Sequence, residues 1–212
     1  DFVRLDGLRR MTGRPAHEWD FYILKELIDN ALDADEGLWR RDIKQNPKLK
    51  IRIEYAAKQL FVEVANRSIF PANLISEIFA TRQYTSRKAF IKGMTRGALG
   101  NALKTLLGIP YVLRNRVAND WHPDQKPLVI ICAGIEYLPI YKIDSTQQNI
   151  EFECFEQPDR QTDGTTVRVA LDYFEQEKPR TFTEIRRLAE QYHLSNPNVE
   201  FHWDVEISDD NW

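Results

Sequence analysis

Residues 25–34 read Lys25-Glu26-Leu27-Ile28-Asp29-Asn30-Ala31-Leu32-Asp33-Ala34. At 3.6 residues per turn, Glu26, Asn30 and Asp33 stand at i, i+4 and i+7 and share one narrow stripe of a helix. Leu24, Leu27, Ile28, Ala31 and Leu32 recur at helical spacing on roughly the opposite side. The periodicity predicts a helix from about Glu18 to the low forties, closed by Asn46-Pro47. Taken alone, such a polar stripe is what any solvated helix face shows. Its chemistry has to be corroborated elsewhere in the chain.

Upstream, residues 1–16 carry Arg9, Arg10, Arg14, a Thr12-Gly13 turn signal and Pro15. They read as an extended N-terminal arm ahead of one main domain spanning residues 17–212. Downstream, Leu49, Ile51, Ile53 and Tyr55 alternate, as do Leu60, Val62 and Val64, and the short link between them predicts an antiparallel hairpin. A short helix is expected from Pro71 to about Ala80, and an apolar helix from the glycines near residue 100 through Leu103, Leu106 and Leu107 to Gly108. Strands are expected near Tyr111–Arg114, Leu128–Ile135, Ile150–Phe155, Thr165–Leu171 and Val199–Ile207, with a helix near Thr183–His193. This order, helix then hairpin then helices then several strands, fits an α+β two-layer sandwich better than repeated βαβ units.

The 212 residues, 42% apolar and 29% charged, suit one globular core. The longest apolar run, Leu128 to Leu138, is broken by Glu136 and falls short of the roughly 20 residues a membrane helix needs. No membrane partner is expected, and the reading is cytoplasmic. A net charge of −3 argues against a domain that grips nucleic acid over a broad basic face. Cys132 and Cys154 lack ligand spacing and read as buried strand residues in a reducing compartment. His17, His122, His193 and His202 are scattered without metal spacing. Tyr111, Phe152, Phe155, Phe201 and Trp203 read as core or sheet-face residues rather than stacking platforms. Asp1 in place of a methionine, with no charged-then-apolar leader behind it, reads as the start of a trimmed piece of a longer protein.

Two further stretches bear on chemistry. Residues 81–96 are polar and basic, with Arg82, Arg87, Lys88, Lys92 and Arg96, and they run into Gly97-Ala98-Leu99-Gly100. Glycines let backbone approach an anion, and a following helix N-terminus aims free N–H groups at it. A GxxG alone is weak, since two turn glycines beside a surface charge run give the same pattern. Gly164-Thr165-Thr166 heads an alternating strand, which as a bare pattern is a turn entering a strand.

Together these stretches resemble the GHKL, or Bergerat-fold, ATPases, and most closely the B subunit of topoisomerase VI. Glu26 to Ala34 is similar to the family's Glu-x-x-x-Asn-Ala/Ser-x-Asp-Ala helix. Tyr84-Thr85-Ser86-Arg87-Lys88 and Thr95-Arg96-Gly97-Ala98-Leu99-Gly100-Asn101 resemble its ATP lid, and Gly164-Thr165 its core-strand Gly-Thr. Asn196-Pro197-Asn198 resembles the step that ends the domain. The motifs come in family order from residue 26 to 198.

The resemblance implies a Bergerat sandwich with a mixed, mostly antiparallel sheet and helices on one face, binding ATP and Mg2+. Glu26 would be the general base, Asn30 the magnesium ligand and Asp33 a positioning group. Thr165 and Asn66 would lie at the adenine. Ser86, Lys88, Arg96, Gly97, Ala98, Leu99, Gly100 and Asn101 would form the lid around the phosphates. The partners implied are a second copy, joined through the N-terminal arm, and DNA with a DNA-cleaving subunit reached through regions beyond residues 1–212. In that family a transducer domain supplies a lysine to the γ-phosphate. Since 212 residues leave no room for one, the chain by itself is expected to hydrolyse slowly, if at all.

The chain departs from the family at one place. Asn66-Arg67-Ser68-Ile69-Phe70 stands where the family has Asp-x-Gly-x-Gly, and neither glycine is kept. Asn66 can accept through its oxygen but can also flip to donate, which leaves purine selectivity open. Ala102 likewise replaces the lid's third glycine. A non-hydrolysing nucleotide-sensing or interaction module is therefore the rival expectation.

Overall fold

The computed structural model describes residues 2–39, 46–56, 59–79, 102–114, 126–144, 149–172 and 181–207. Helices α1 (Leu5–Thr12) and α2 (Trp19–Trp39) precede the hairpin β1 (Lys48–Ala56) and β2 (Gln59–Asn66). Then come α3 (Ile75–Phe79), α4 (Ala102–Arg114), β3 (Leu128–Cys132), β4 (Ile135–Asp144), β5 (Asn149–Pro158), β6 (Thr165–Asp172), α5 (Phe182–Ser195) and β7 (Glu200–Ile207).

The seven strands form one sheet in the order β5-β4-β3-β6-β2-β1-β7, antiparallel throughout except for the parallel pair β1 and β7. The register carries one apolar face across it: Ile53 pairs Val62, Val62 pairs Val169, and Val169 pairs Leu128. The helices cover that face. Ile23, Leu24, Leu27, Ile28 and Leu32 of α2 are buried, Phe79 of α3 stacks on Phe152, and Tyr192 and His193 of α5 meet Phe201. Each fully buried leucine or isoleucine on α2 contributes about 1.5–3 kcal/mol of transfer free energy. The opposite face carries ion pairs such as Arg168 with Glu63 and Arg52 with Glu206. The exposed pair of Arg52 with Glu206 contributes about 0–1 kcal/mol. The expected α+β sandwich, with a mostly antiparallel sheet and helices on one face, is what the chain forms. Among the described residues no helix is long and apolar enough to cross a membrane.

Three local expectations are corrected. Residues 1–16 are not an extended arm, because Leu5–Thr12 is helical and Leu8 is fully buried. Tyr111–Arg114 is not a strand but the last turn of α4, which runs on through Gly108 and Pro110. Gly108 marks close packing rather than a stop: a Cβ there would stand 1.9 Å from the Phe2 carbonyl oxygen. Finally, Leu128–Ile135 is not one strand: β3 ends at Cys132, the chain turns at Ala133-Gly134, and Ile135 begins β4. Its Pro139 lies past the last pairing with β3, where a missing N–H costs no ladder bond. Two residues on, the Tyr141 N–H donates instead to the Tyr111 hydroxyl at 2.5 Å.

Candidate functional site

The α2 helix presents Glu26, Asn30 and Asp33 half-buried, on the flank its apolar residues leave free. Of these, Asn30 has an unusual environment: its Nδ2 is buried and meets no hydrogen-bond partner among the described residues. An unsatisfied buried amide costs about 1–3 kcal/mol, so a polar group arriving from outside the protein is favoured there.

One turn before Glu26, Tyr22 joins α2 to the first turn of α4, its hydroxyl 3.0 Å from Thr105 Oγ1. Burial first, and the charge of Glu26 second, push the Tyr22 phenol up to about 12. It therefore stays protonated and neutral beside the carboxylate at physiological pH.

Asn66 closes β2 opposite Thr165 at the start of β6. The Asn66 Nδ2 donates to the Ala31 carbonyl at 3.1 Å and to Ser68 Oγ at 2.8 Å. A carbonyl only accepts, so the amide is held with its nitrogen toward α2. The flip left open by the residue type is thereby disfavoured, and Oδ1 is the atom turned away from these two acceptors. Thr165 Oγ1 donates to the Ser68 carbonyl and accepts from the Phe70 N–H, both at 2.7 Å. Gly164 precedes it at φ 70°, and a Cβ there would lie 2.1 Å from the Asn66 carbonyl oxygen. Only glycine satisfies both demands at this crossing.

Asp35 was not singled out from sequence, although a carboxylate in register with Leu24, Ile28 and Leu32 on a helix was the available signal. It is buried under the loop that follows β2, accepting from the backbone N–H groups of Ser68 at 2.9 Å, Arg67 at 3.0 Å and Lys48 at 3.3 Å. Burial raises its pKa above the usual carboxylate value, and the N–H donors with Arg67 act in the opposite direction.

The structure thus brings Asn30, Ala31, Asn66 and Thr165 together where α2 meets the ends of β2 and β6, with Glu26 and Asp33 on the same flank of α2. Ser86, Lys88, Arg96, Gly97, Ala98, Leu99, Gly100 and Asn101 lie outside the described residues. Among the described residues no three His, Cys, Asp or Glu side chains converge as a metal cage.

No protein-family model and no curated protein matches the chain. Among solved structures, the ATPase and transducer domains of DNA topoisomerase II from Balamuthia mandrillaris are similar at 14% identity and a TM-score of 0.46, over 86% of this chain and 46% of that one. The ATPase region of Saccharomyces cerevisiae topoisomerase II is similar at 14% identity and a TM-score of 0.49, over 87% and 47%. The same yeast region bound to ICRF-187 (dexrazoxane) gives 14% and 0.47, over 86% and 47%. The chain spans a little under half the length of these structures. A likeness at this level is one of general shape; the fold described above rests on strand order and register, and the site on its own residues.

Proposed function

We propose that this chain is a magnesium-ATP-binding module of the GHKL type, seated in a longer topoisomerase VI B-like protein of the cytoplasm. The observation that carries the reading is the buried Asn30 Nδ2, without a partner among the described residues and centred on the stripe that bears Glu26 and Asp33. Its unpaired Nδ2 suits a phosphate oxygen, and the same amide turned over would offer Oδ1 to a magnesium ion, so the residue fits the group. Bound there, the metal would neutralise charge on the phosphates. Glu26 takes the proton of the attacking water, Asp33 steadies the stripe, and Thr165 with Asn66 Oδ1 faces the base. Ser86, Lys88, Arg96 and the run from Gly97 to Asn101 cover the phosphates. Because the Asn66 oxygen accepts, a base with an exocyclic amino group is preferred.

In this reading nucleotide binding drives closure of a homodimer, and the closure acts on DNA with a cleaving subunit through regions beyond this chain. A second reading, a nucleotide sensor that does not hydrolyse, draws support from Asn66-Arg67-Ser68-Ile69-Phe70, which lacks the family's carboxylate and both glycines. Calorimetry with the non-hydrolysable analogue AMPPNP, with and without magnesium, tests both. Magnesium-dependent binding is the expected result, and no binding removes both readings. Turnover measured in the longer protein then separates them.

A further inference from the structure

We propose that Asp35 is a positioning residue for base recognition, acting through the loop from Asn66 to Phe70; this rests on the nucleotide reading above. Burying a carboxylate is costly without compensating hydrogen bonds, and a residue serving only to pack α2 on the sheet would be apolar. Asp35, 2% exposed, instead gathers the N–H groups of Arg67 and Ser68 and that of Lys48 at the start of β1. The same loop is held from its other side by Thr165, which takes the Phe70 N–H and gives its proton to the Ser68 carbonyl. Both clamps bear on the backbone of a loop that has no glycine to shape it. Ser68 is the residue both clamps share, and its hydroxyl accepts from Asn66 Nδ2. Asp35 therefore fixes Ser68, Ser68 helps to fix the Asn66 amide, and the direction of Asn66 Oδ1 follows.

The test compares two probes on the intact chain: Mg-AMPPNP, which carries the base, and Mg-tripolyphosphate, which does not. D35N turns an amide nitrogen or a weaker acceptor toward the three N–H groups. It is expected to weaken AMPPNP roughly tenfold or more, while tripolyphosphate stays within about twofold. S68A, a milder change that leaves the Asp35 contacts to the backbone intact, is expected to show the same selective loss, and it serves if D35N does not fold. AMPPNP affinity unchanged in folded D35N, or in S68A where D35N does not fold, overturns the proposal. So does parallel weakening of both probes, which marks a merely structural role. If the unmodified chain binds neither probe, the nucleotide reading itself is overturned and this one with it.

Discussion

Tyr22 donates its hydroxyl proton to Thr105, across the junction of α2 and α4. The direction is set because Thr105 Oγ1 gives its own proton to the Ala102 carbonyl at 2.6 Å. The bond ties the turn before Glu26 to the helix that follows the glycine-bracketed segment.

Removing that hydroxyl leaves a part-buried threonine oxygen short of a donor. Y22F is expected to cost about 1 kcal/mol of folding stability in urea titrations. A loss indistinguishable from zero would mean that water replaces the contact and that the two helices are held by packing alone.

Tyr22, Tyr111 and Tyr141 all have phenols raised by burial. The folded state keeps these protons above pH 10, where the unfolded chain releases them, so ∂ΔG/∂pH is negative there. Stability is therefore expected to fall as pH rises from about 10 toward 12, with these phenols ionising as the fold is lost. Absorbance at high pH, followed beside circular dichroism, checks it; early ionisation of all the tyrosines in folded protein would contradict it.

Gly13 and Gly164 both have left-handed backbone, at φ 64° and 70°. A Cβ at Gly13 meets nothing within 4 Å, whereas one at Gly164 runs into the Asn66 carbonyl. G13A is expected to cost about 1–2 kcal/mol from backbone conformation alone, and G164A about 1–3 kcal/mol more from overpacking. Equal melting shifts for the two variants would show that the Gly164 crossing relaxes freely.

Placing a carboxylate at position 66 is expected to harm this chain. N66D sets an oxygen against the Ala31 carbonyl where a donor now stands, costing about 1–3 kcal/mol at neutral pH. The folded state then favours the protonated acid, which can still donate to Ala31, so the cost shrinks as pH falls and grows as it rises. Stability of N66D relative to the unmodified chain, measured from pH 4 to pH 8, reads this directly. A difference independent of pH would argue against the Ala31 contact.

For the proposed chemistry, E26A in the longer protein is expected to keep AMPPNP binding and to lose turnover by roughly 10²- to 10⁴-fold, the usual worth of a general base. Undiminished turnover removes Glu26 from that role.

The α2 stripe and the β1–β2 hairpin were legible because periods of 3.6 and 2 survive without neighbours. The Asn66–Thr165 pairing was not, since it depends on which strands become adjacent. A punctuation residue misled where tertiary contact overrode it: Gly108, expected to end a helix, makes room for Phe2 inside α4. The Thr12-Gly13 turn signal was sound, because Gly13 does cap a helix, but the eight residues before it had been read as extended. Asp35 escaped notice because a lone charge in apolar register acquires meaning only once the β2 loop is folded over it.

The parallel pairing of β1 with β7 joins Lys48 to Glu200 and Tyr55 to Ile207, partners about 150 residues apart. Loop closure of that span precedes any gain from the pairing, so completion of this edge is an inherently late event during synthesis and refolding. Until β7 arrives, β1 keeps an open edge beside Ile51 and Ile53, and a nascent or truncated chain is a template for intermolecular strand addition. Yields of folded protein should then depend on concentration more steeply for chains cut before Phe182 than for the intact one.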